Sequence, residues 1–562
     1  MARSVGWSRL LLHSLALAAV LTAGMLLTSG GVSFTSDEGA AIVQARLLER
    51  GHGWHYANPL PAVDPAGKAQ PFPHGDIGPK GLAPYAKHPA YPLLLEASDR
   101  VFGTAGLYLL SIAGGVVAAL IAALLARHID DRCAIPVLWT TGVVSPLFFD
   151  SFVVLAHTFA AAAAGLAVLL AWSSLVGPRR RWCRLAGMAV SVAATMLLRS
   201  EGLFLGPALA VSAGVLALTH RVKAQVALWV AAVALAATAA TRVLEAWTVS
   251  SILGSSVSLG GPGPSRGFLA DRYEGFYRTW VQPAYSGQGR MAAVALAAIA
   301  ATAAAVLVRS DGGRVAALVA LVAAAAGYAV ALAVGPAGAI PGLLPAFPVV
   351  AGGALLVRRP TLDAGGGLSI LLVGVAGVAS AGVLLTQYRI GGGVEWGGRY
   401  FAYLLPVAVP VLVVAVGRAA PRQVLAGALV VAALLPALSI QALRHSHQST
   451  RRLIDSIDVV ARHAPPGDPG LDHRPLVVST ERLLPQLAWN RFEAYRWLVP
   501  ATAELVTYAP RLARAGVLRI VLVTGDPASQ ELALAPWYRR LPAVPGKAPG
   551  VAVEVLGRTS VP

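Results

Sequence analysis

The sequence predicts an α-helical integral membrane protein with a small α/β domain at its C-terminal end. Of the 562 residues, 56% are hydrophobic and only 13% are charged, whereas soluble domains average about 25% charged residues. Long apolar runs recur up to about residue 443, and a membrane-spanning helix needs ~20 such residues. Farther on, the apolar runs become short, which is typical of buried strands. We therefore predict a membrane domain at 1–445 and an α/β domain at 446–562.

The apolar runs predict about thirteen membrane-spanning segments. The first follows Arg3 and Arg9, is too long for the apolar part of a signal peptide, and is not followed by a small-residue cleavage site, so we expect a retained anchor. The segments lie at 10–30, 104–126, 134–149, 152–175, 185–198, 201–218, 224–247, 291–308, 315–334, 339–357, 368–387, 400–416 and 423–443.

The positions of arginine and lysine predict the orientation. If the N-terminus is cytoplasmic, every short loop on that side is basic, as the positive-inside bias requires. Four stretches then lie outside, namely 31–103, 248–290, 388–399 and everything after about 444. We expect a multi-pass protein of the cytoplasmic membrane with an extracytoplasmic C-terminal domain. Because the +18 net charge is spread between apolar runs, the expected partner is the lipid bilayer and not nucleic acid.

The first outer stretch, 31–103, begins with an acidic pair. Residues 37–50 predict a short amphipathic helix whose apolar residues Ile42, Val43, Leu47 and Leu48 would lie on the bilayer surface. Asp37 stands at the helix N-terminus, which stabilises an ionised carboxylate, so it could take a proton from a hydroxyl or hold a divalent cation. The same residues equally fit a helix cap, because Thr35 and Glu38 have the spacing of a capping box.

The return to the second span reads Tyr85-Ala86-Lys87-His88-Pro89. Lys87 is one of only five lysines, and its point charge is suited to binding phosphate. The alternative is an interfacial lysine whose ammonium group reaches up to water. His88 is either a second donor or a plain surface histidine.

Two tight outer turns carry further ionisable residues. Asp150 lies between two spans, and His157 follows about two helical turns later. Ionisable groups at membrane segments tend to be functional, although the energetic penalty is small at the edge of the bilayer. Arg199 and Glu201 flank the other turn and could simply pair with each other.

The last outer turn, 387–400, is rich in glycine and contains Glu395, Arg399 and Tyr400. A glycine-rich backbone with an arginine could cradle phosphate oxygens. The competing interpretation is an interfacial anchor made of Trp396, Arg399 and Tyr400. We favour function for Arg399, since an arginine that enters a span is costly. The sequence shows no closed metal-ligand spacing, serine triad or P-loop, so the energy for any reaction has to come with the substrate.

Two other outer stretches complete the description. Residues 254–267 form a Gly/Ser/Pro-rich lid candidate, and the aromatic 271–280 is typical of a membrane interface. In the C-terminal domain, 475–480, 517–524 and 551–556 predict strands, with a helical stretch at 481–489.

The order of these motifs resembles the GT-C polyprenyl-phosphate-dependent glycosyltransferases, most of all the branch of protein O-mannosyltransferases and the aminoarabinose transferase of lipid A. The resemblance covers residues 1 to about 445. It rests on Asp37-Glu38 after the first span, Tyr85-x-Lys87-x-Pro89 before the second, Asp150 in the next outer turn, and Trp396-Gly-Gly-Arg399-Tyr400 late in the membrane part.

The resemblance implies transfer of a sugar from a polyprenyl-phosphate donor to a hydroxyl of a cell-envelope glycan, lipid or protein on the extracytoplasmic face. It implies Asp37 as general base, Glu38 as support for it or for a bound cation, and Asp150 as a second acidic group. Lys87 would hold the donor phosphate with help from Arg399, so we expect these two and Asp37 around one cavity. No cofactor is assigned, and a divalent cation is left open. The remaining substrate-binding candidates are Tyr85, His88, His157, Arg199, Glu201, Glu395 and Tyr400.

Two alternatives stay open. A flippase of lipid-linked saccharides would place ionisable groups at mid-bilayer on broken helices, whereas the charges here lie at the outer edge. A non-catalytic scaffold would tolerate the loss of Asp37 and Lys87.

Overall fold

A computed structural model describes residues 6–28, 31–72, 75–254, 266–283, 288–310, 312–334, 340–386, 395–462, 474–526, 534–541, 546–548 and 551–559. Most of the predicted lid and residues 387–394 of the last outer turn lie outside these ranges. The chain forms two compact units. The first comprises Met1–Thr28, Val101–Thr248 and Gly261–Leu443, and the second comprises Ser29–Arg100, Val249–Gly260 and Arg444–Pro562.

Most described elements are helices. The α-helices are Trp7–Thr28, Ser36–Glu49, Ala90–Phe102, Thr104–Ile129, Ala134–Trp139, Leu147–Asp150, His157–Val176, Arg181–Leu198, Leu205–Leu218, Ala224–Leu253, Phe268–Phe276, Gln288–Leu307, Arg314–Ala333, Leu343–Ala346, Val349–Leu356, Arg359–Leu362, Leu368–Thr386, Leu405–Ala419, Arg422–Arg462, Leu484–Leu487 and Leu505–Arg514. The 3₁₀ turns are Asp131–Cys133, Ser200–Phe204, Ala364–Gly367, Arg399–Leu404, Trp489–Ala494 and Thr502–Glu504. The π turns are Thr140–Val144 and Tyr277–Val281.

Nine helices within the described ranges are long and apolar enough to cross a membrane, which confirms the predicted multi-pass helical class. They are Trp7–Thr28, Thr104–Ile129, His157–Val176, Ser200–Leu218, Ala224–Leu253, Arg314–Ala333, Ala364–Thr386, Arg399–Ala419 and Arg422–Arg462. The predicted number of about thirteen is not confirmed. Two predicted spans, 134–149 and 339–357, are broken into short helices near Pro146 and near Pro345 and Pro348. Proline lacks an N–H donor and disfavours helical geometry in the residue before it.

Close helix packing fixes the start of the helix His157–Val176 in the first unit. A Cβ atom on Gly114 would lie 2.6 Å from Thr158 Oγ1 and 2.7 Å from the backbone nitrogen of Phe159. A Cβ on Gly165 would lie 3.0 Å from Ile121. Small residues at these positions let the helix Thr104–Ile129 approach closely, as is common between membrane helices. The His157 end of the helix is therefore held in place.

The second unit contains the strands. Asp76–Gly78 (β1) and Gly81–Ala83 (β2) form an antiparallel hairpin. The C-terminal strands are Leu476–Ser479 (β3), Arg496–Leu498 (β4), Arg519–Thr524 (β5), Tyr538–Arg540 (β6), Gly546–Ala548 (β7) and Val551–Arg558 (β8). Their order is β4-β3-β5-β8-β6, and β7 also pairs with β8. The pairs β3–β4 and β3–β5 are parallel, and the others are antiparallel. The predicted C-terminal α/β fold is thus confirmed.

The second unit is assembled from parts of three of the four predicted outer stretches. Segments on opposite faces of a bilayer cannot form one compact unit, so these three lie on the same face. Which face that is stays a prediction. One unit boundary lies at Leu443–Arg444, and the second unit also includes most of 31–103. The division of the chain into domains at 1–445 and 446–562 stays a prediction.

The predicted position of the amphipathic helix is wrong for two residues. Ile42 is fully buried and Val43 is 5% exposed, so neither lies on the bilayer surface. The helix Ser36–Glu49 packs against Leu484–Leu487, where a Cβ on Gly39 would lie only 1.8 Å from the carbonyl oxygen of Gln486. An apolar helix face can bury itself in protein as well as in lipid, and the pattern alone does not distinguish the two.

Candidate active site

Asp37 and Lys87 meet at a small cleft in the second unit. Asp37 Oδ1 lies 3.8 Å from Lys87 Nζ, and the two side chains are 27% and 32% exposed. Other residues that line the cleft include Ser36, Tyr85 and Gln486. The cleft therefore presents a carboxylate and an ammonium group side by side, and both remain in contact with water.

The helix cap below this cleft is built by Thr35 and Glu38. The Thr35 hydroxyl accepts a hydrogen bond from the Glu38 backbone N–H at 3.2 Å. The Glu38 carboxylate accepts one from the backbone N–H of Phe34 at 2.7 Å, and Glu38 is 1% exposed. The capping interpretation is confirmed for this pair. Glu38 holds the start of the helix, which leaves Asp37 as the accessible carboxylate.

Gln44 joins the Tyr85–Lys87 segment to this helix, although it is not among the site residues predicted from the sequence. Its Oε1 accepts a hydrogen bond from the Tyr85 backbone N–H at 3.3 Å, and its Nε2 donates one to the Gly53 carbonyl at 3.4 Å. Gln44 is fully buried. In the sequence, the only indication of a role for Gln44 is that this polar residue directly follows the apolar Ile42 and Val43. His88, a predicted donor, is 7% exposed.

A second cluster of ionisable side chains lies in the first unit, at helix ends that the positive-inside bias assigns to the outer side. Arg199 donates two hydrogen bonds to Glu201, at 3.1 and 2.9 Å, and one to His157 Nε2 at 2.6 Å. His157 Nδ1 lies 3.5 Å from Asp150 Oδ1 and 3.3 Å from Glu395 Oε2. All six members were predicted site residues: Asp150, His157, Arg199, Glu201, Glu395 and Arg399.

Glu395 and Arg399 are presented by a glycine turn. Arg399 Nη1 donates to Glu395 Oε1 at 2.7 Å, and the Arg399 guanidinium lies 5.2 Å from the centre of the Tyr400 ring. Gly398 between them has φ +68°, and a Cβ there would lie 2.3 Å from the carbonyl oxygen of Thr279. Only glycine suits that position. The turn brings Glu395 back to His157, 238 positions earlier in the chain.

Burial makes the charge balance of this cluster important. Asp150 is 2% exposed, and His157 and Glu395 are each 1% exposed. Among the six members of this cluster, three carboxyl groups face two guanidinium groups. Burial raises the pKa of the Asp150 carboxyl well above its usual range, and the Glu395 charge raises it further. The cluster thus favours a proton or another positive charge near Asp150.

Tyr403 also belongs to this cluster, although it is not among the site residues predicted from the sequence. Its side chain is 2% exposed. The charges of Glu201 and Arg199 both act on its hydroxyl group. The Tyr403 hydroxyl has no hydrogen-bond partner among the residues that the structure describes. In the sequence, Tyr403 follows Arg399 by one helical turn, and this spacing predicts that the two side chains lie on the same face of a helix.

A divalent cation fits this cluster only in part. Asp150, His157 and Glu395 each offer a ligand atom, and these atoms all lie within 4.8 Å of one another. Arginine has no acceptor, so its hydrogen bond to His157 requires a lone pair on Nε2 and places the imidazole proton on Nδ1. A protonated Nδ1 cannot bind a metal ion. The two carboxylates alone remain as ligands in this cluster. The divalent cation that the sequence leaves open at Asp37 and Glu38 stays a prediction.

Known proteins offer a match in fold. No protein-family model matches the sequence, and no curated protein sequence matches it significantly. The oligosaccharyltransferase of Archaeoglobus fulgidus in its apo form aligns over 98% of this chain and 74% of its own, at 12% identity and a TM-score of 0.51. The chain therefore has the same fold as this oligosaccharyltransferase.

Two further solved structures align with lower scores. ArnT from Cupriavidus metallidurans, bound to undecaprenyl phosphate, aligns over 96% of this chain and 97% of its own, at 15% identity and a TM-score of 0.45. AglB from Archaeoglobus fulgidus, in complex with an inhibitory peptide and a dolichol-phosphate, aligns over 99% and 75%, at 14% identity and 0.47. A shared fold does not specify a reaction, so function has to be argued from the site.

Proposed function

We propose that this chain is a membrane glycosyltransferase that moves a sugar from a polyprenyl-phosphate donor to a hydroxyl of a cell-envelope glycan, lipid or protein on the extracytoplasmic face. One observation carries the proposal: Asp37 Oδ1 and Lys87 Nζ lie 3.8 Å apart at one cleft, and both remain partly exposed. A base for the acceptor and a cation for the donor phosphate are the two groups that such a transfer needs.

In the proposed reaction, the acceptor oxygen forms a bond to the anomeric carbon as the bond from that carbon to the phosphate oxygen breaks. Asp37 takes the acceptor proton, and the negative charge passes to the departing polyprenyl phosphate. Lys87 stabilises that charge. Phosphate is a weakly basic leaving group, so it needs electrostatic stabilisation more than it needs a proton. Tyr85 lines the same cleft and offers an aromatic surface to the sugar.

The buried cluster has a supporting role in this proposal. Arg399 is 14% exposed and already bonded to Glu395, so it has to exchange that partner before it helps Lys87 hold the donor phosphate. Glu201 balances the charge of Arg199, and Asp150 is the second acidic group that the family resemblance implies. The common cavity of Asp37, Lys87 and Arg399 stays a prediction, because Arg399 belongs to the first unit and the other two to the second.

The positions of the buried ionisable groups favour transfer over lipid flipping. His157 is the first residue of its helix, Arg199 directly follows the helix Arg181–Leu198, and Arg399 begins a 3₁₀ turn. A translocation pathway is expected to place such groups at mid-bilayer on broken helices. In the cluster described here they stand at helix ends instead.

The experiment is a transfer assay in membranes with radiolabelled polyprenyl-phosphate sugars and cell-envelope acceptors. Asp37→Asn and Lys87→Ala should abolish transfer by a donor that the wild type uses. Two matched controls change exposed residues of the same kind in the same unit, Asp455→Asn and Lys68→Ala, and should transfer at the wild-type rate. Equal transfer by all five proteins removes the site assignment. Movement of lipid-linked sugar across vesicles without transfer supports the flippase.

A further inference from the structure

An apolar groove in the first unit has no part in the proposed reaction. It lies between the helices Gln288–Leu307, Val349–Leu356, Leu405–Ala419 and Arg422–Arg462, and its free volume is about 100 Å³. Small residues create it, among them Ala301, Ala305, Gly352, Ala428 and Ala432. Larger side chains at these positions would fill the space, so the groove is a consequence of the local sequence.

One end of the groove reaches the basic loops. Val308 lines the groove and directly precedes Arg309, and Leu356 lines it two residues before Arg358. Val424 lines it two residues after Arg422. All three arginines are exposed. In the part of the chain that the structure describes, none of the three forms an ion pair. Neighbouring Arg418 does form one, because its Nη2 lies 3.7 Å from Asp130 Oδ2.

The length of the groove matches half a membrane. Val424 and Leu435 line it from the same helix, which at 1.5 Å per residue corresponds to a distance of ~16 Å. The hydrocarbon core is about 30 Å thick, so one leaflet accounts for half of that. A groove of this length that begins at arginines suits one acyl chain whose head group stays at the water boundary.

We propose that this groove binds an anionic phospholipid from the leaflet at its basic end. One acyl chain lies in the groove, and the lipid phosphate is held by Arg309, Arg358 and Arg422. The positive-inside bias alone explains basic loops, but it does not explain an apolar groove that leads to them. That bias also predicts that this end is cytoplasmic, where anionic lipids give the leaflet a negative surface.

The test uses the full-length protein, purified in detergent and stripped of lipid, with phosphatidylglycerol or phosphatidylcholine of equal chain length. Native mass spectrometry counts bound lipid, and thermal unfolding measures stabilisation. Phosphatidylglycerol should bind about tenfold more tightly than phosphatidylcholine, since each arginine near an anionic head group adds to the attraction. Arg358→Gln with Arg422→Gln should remove that preference, and Arg179→Gln with Arg180→Gln in another basic loop should leave it intact.

Groove-filling variants test the acyl chain. Ala428→Leu with Ala432→Leu should abolish the binding of both lipids, whereas Ala426→Leu with Ala433→Leu, on the exposed side of the same helix, should change neither. Equal binding of the two lipids, or unchanged binding in the filled variant, overturns the proposal. Displacement of phosphatidylglycerol by an equal concentration of undecaprenyl phosphate also overturns it and assigns the groove to the polyprenyl chain. Because binding is the readout, a chain without transferase activity can still pass this test.

Discussion

Arg199 donates a hydrogen bond to Nε2 of His157 over 2.6 Å, although the two residues are 42 positions apart in the chain. A guanidinium group only donates, so this contact places the imidazole proton on Nδ1, where it faces Asp150 and Glu395. Glu201 holds the same guanidinium by two further bonds. Arg199 therefore determines the tautomer of His157, which lies at the centre of the buried cluster.

Arg199→Gln should lower the free energy of unfolding by about 3–5 kcal/mol, because it leaves the mostly buried Glu201 carboxylate without its cation. Thermal unfolding in detergent measures the loss. The double variant Arg199→Gln with Glu201→Gln should recover more than half of it, since no unpaired charge remains. A double variant as unstable as the single one would show that the unpaired Glu201 carboxylate is not the cause of the destabilisation.

Glu38 should matter for stability more than for chemistry. Glu38→Ala should lower the free energy of unfolding by about 1–3 kcal/mol, because the Phe34 N–H loses its acceptor. Glu38→Gln keeps an acceptor oxygen and should lose less, with transfer per folded molecule close to wild type. Unfolding and transfer are measured on the same preparations. If folded Glu38→Gln transfers no sugar, Glu38 takes part in the reaction, as the family resemblance implies.

Two glycine-to-alanine substitutions in helices should have opposite effects. Gly39→Ala should destabilise the protein by about 1–3 kcal/mol, because the new methyl group meets the Gln486 carbonyl and pushes the two helices apart. A Cβ on Gly214 meets no atom within 4 Å among the described residues, so Gly214→Ala should be neutral or stabilising by up to about 1 kcal/mol. Thermal unfolding compares them. Equal effects would contradict the packing of Ser36–Glu49 on Leu484–Leu487.

Asp99 should make stability depend on pH. Burial raises the pKa of the Asp99 carboxyl above its ordinary value, and Glu49 raises it further, although Arg46 acts in the opposite direction. Folding then favours the protonated form, so this contribution is full below the ordinary pKa of about 3.9 and is lost as pH rises through the higher pKa of the folded state.

The variant Asp99→Asn should remove this loss. Its melting temperature relative to wild type should increase from acid to neutral pH, and Asp455→Asn, an exposed carboxyl in the same unit, serves as the control. If Asp99→Asn is instead less stable than wild type at neutral pH, the ion pair with Arg46, at 3.8 Å, outweighs the effect of burial.

Features that depend on local pattern were predictable from the sequence. The strands Leu476–Ser479 and Arg519–Thr524 follow from short runs of β-branched and aliphatic residues. The six members of the buried cluster were selected because ionisable residues at the ends of spans are unusual, and because the positive-inside bias places them on one side. That reasoning predicts the side of the membrane on which a residue lies but not which side chains it contacts. The contact of His157 with Glu395 therefore could not be predicted.

Other features depend on contacts between distant parts of the chain. The apolar face of Ser36–Glu49 is the same whether lipid or protein covers it, which is why Ile42 and Val43 were misplaced. Gln44 has significance only through the Tyr85 backbone, 41 positions away. The span predicted at 339–357 fails because hydropathy does not register that Pro345 and Pro348 interrupt helical hydrogen bonding.

The roles of Asp37 and Lys87 are tested most directly by steady-state kinetics of sugar transfer, with the donor concentration varied at saturating acceptor. Asp37→Asn should lower kcat by at least about 100-fold with the donor KM unchanged, since a general base contributes that much to the rate. Lys87→Ala should raise the donor KM and lower kcat as well, because the phosphate loses its cation before and during bond cleavage. Wild-type kcat and KM in both folded variants would contradict the proposal that this pair forms the catalytic centre.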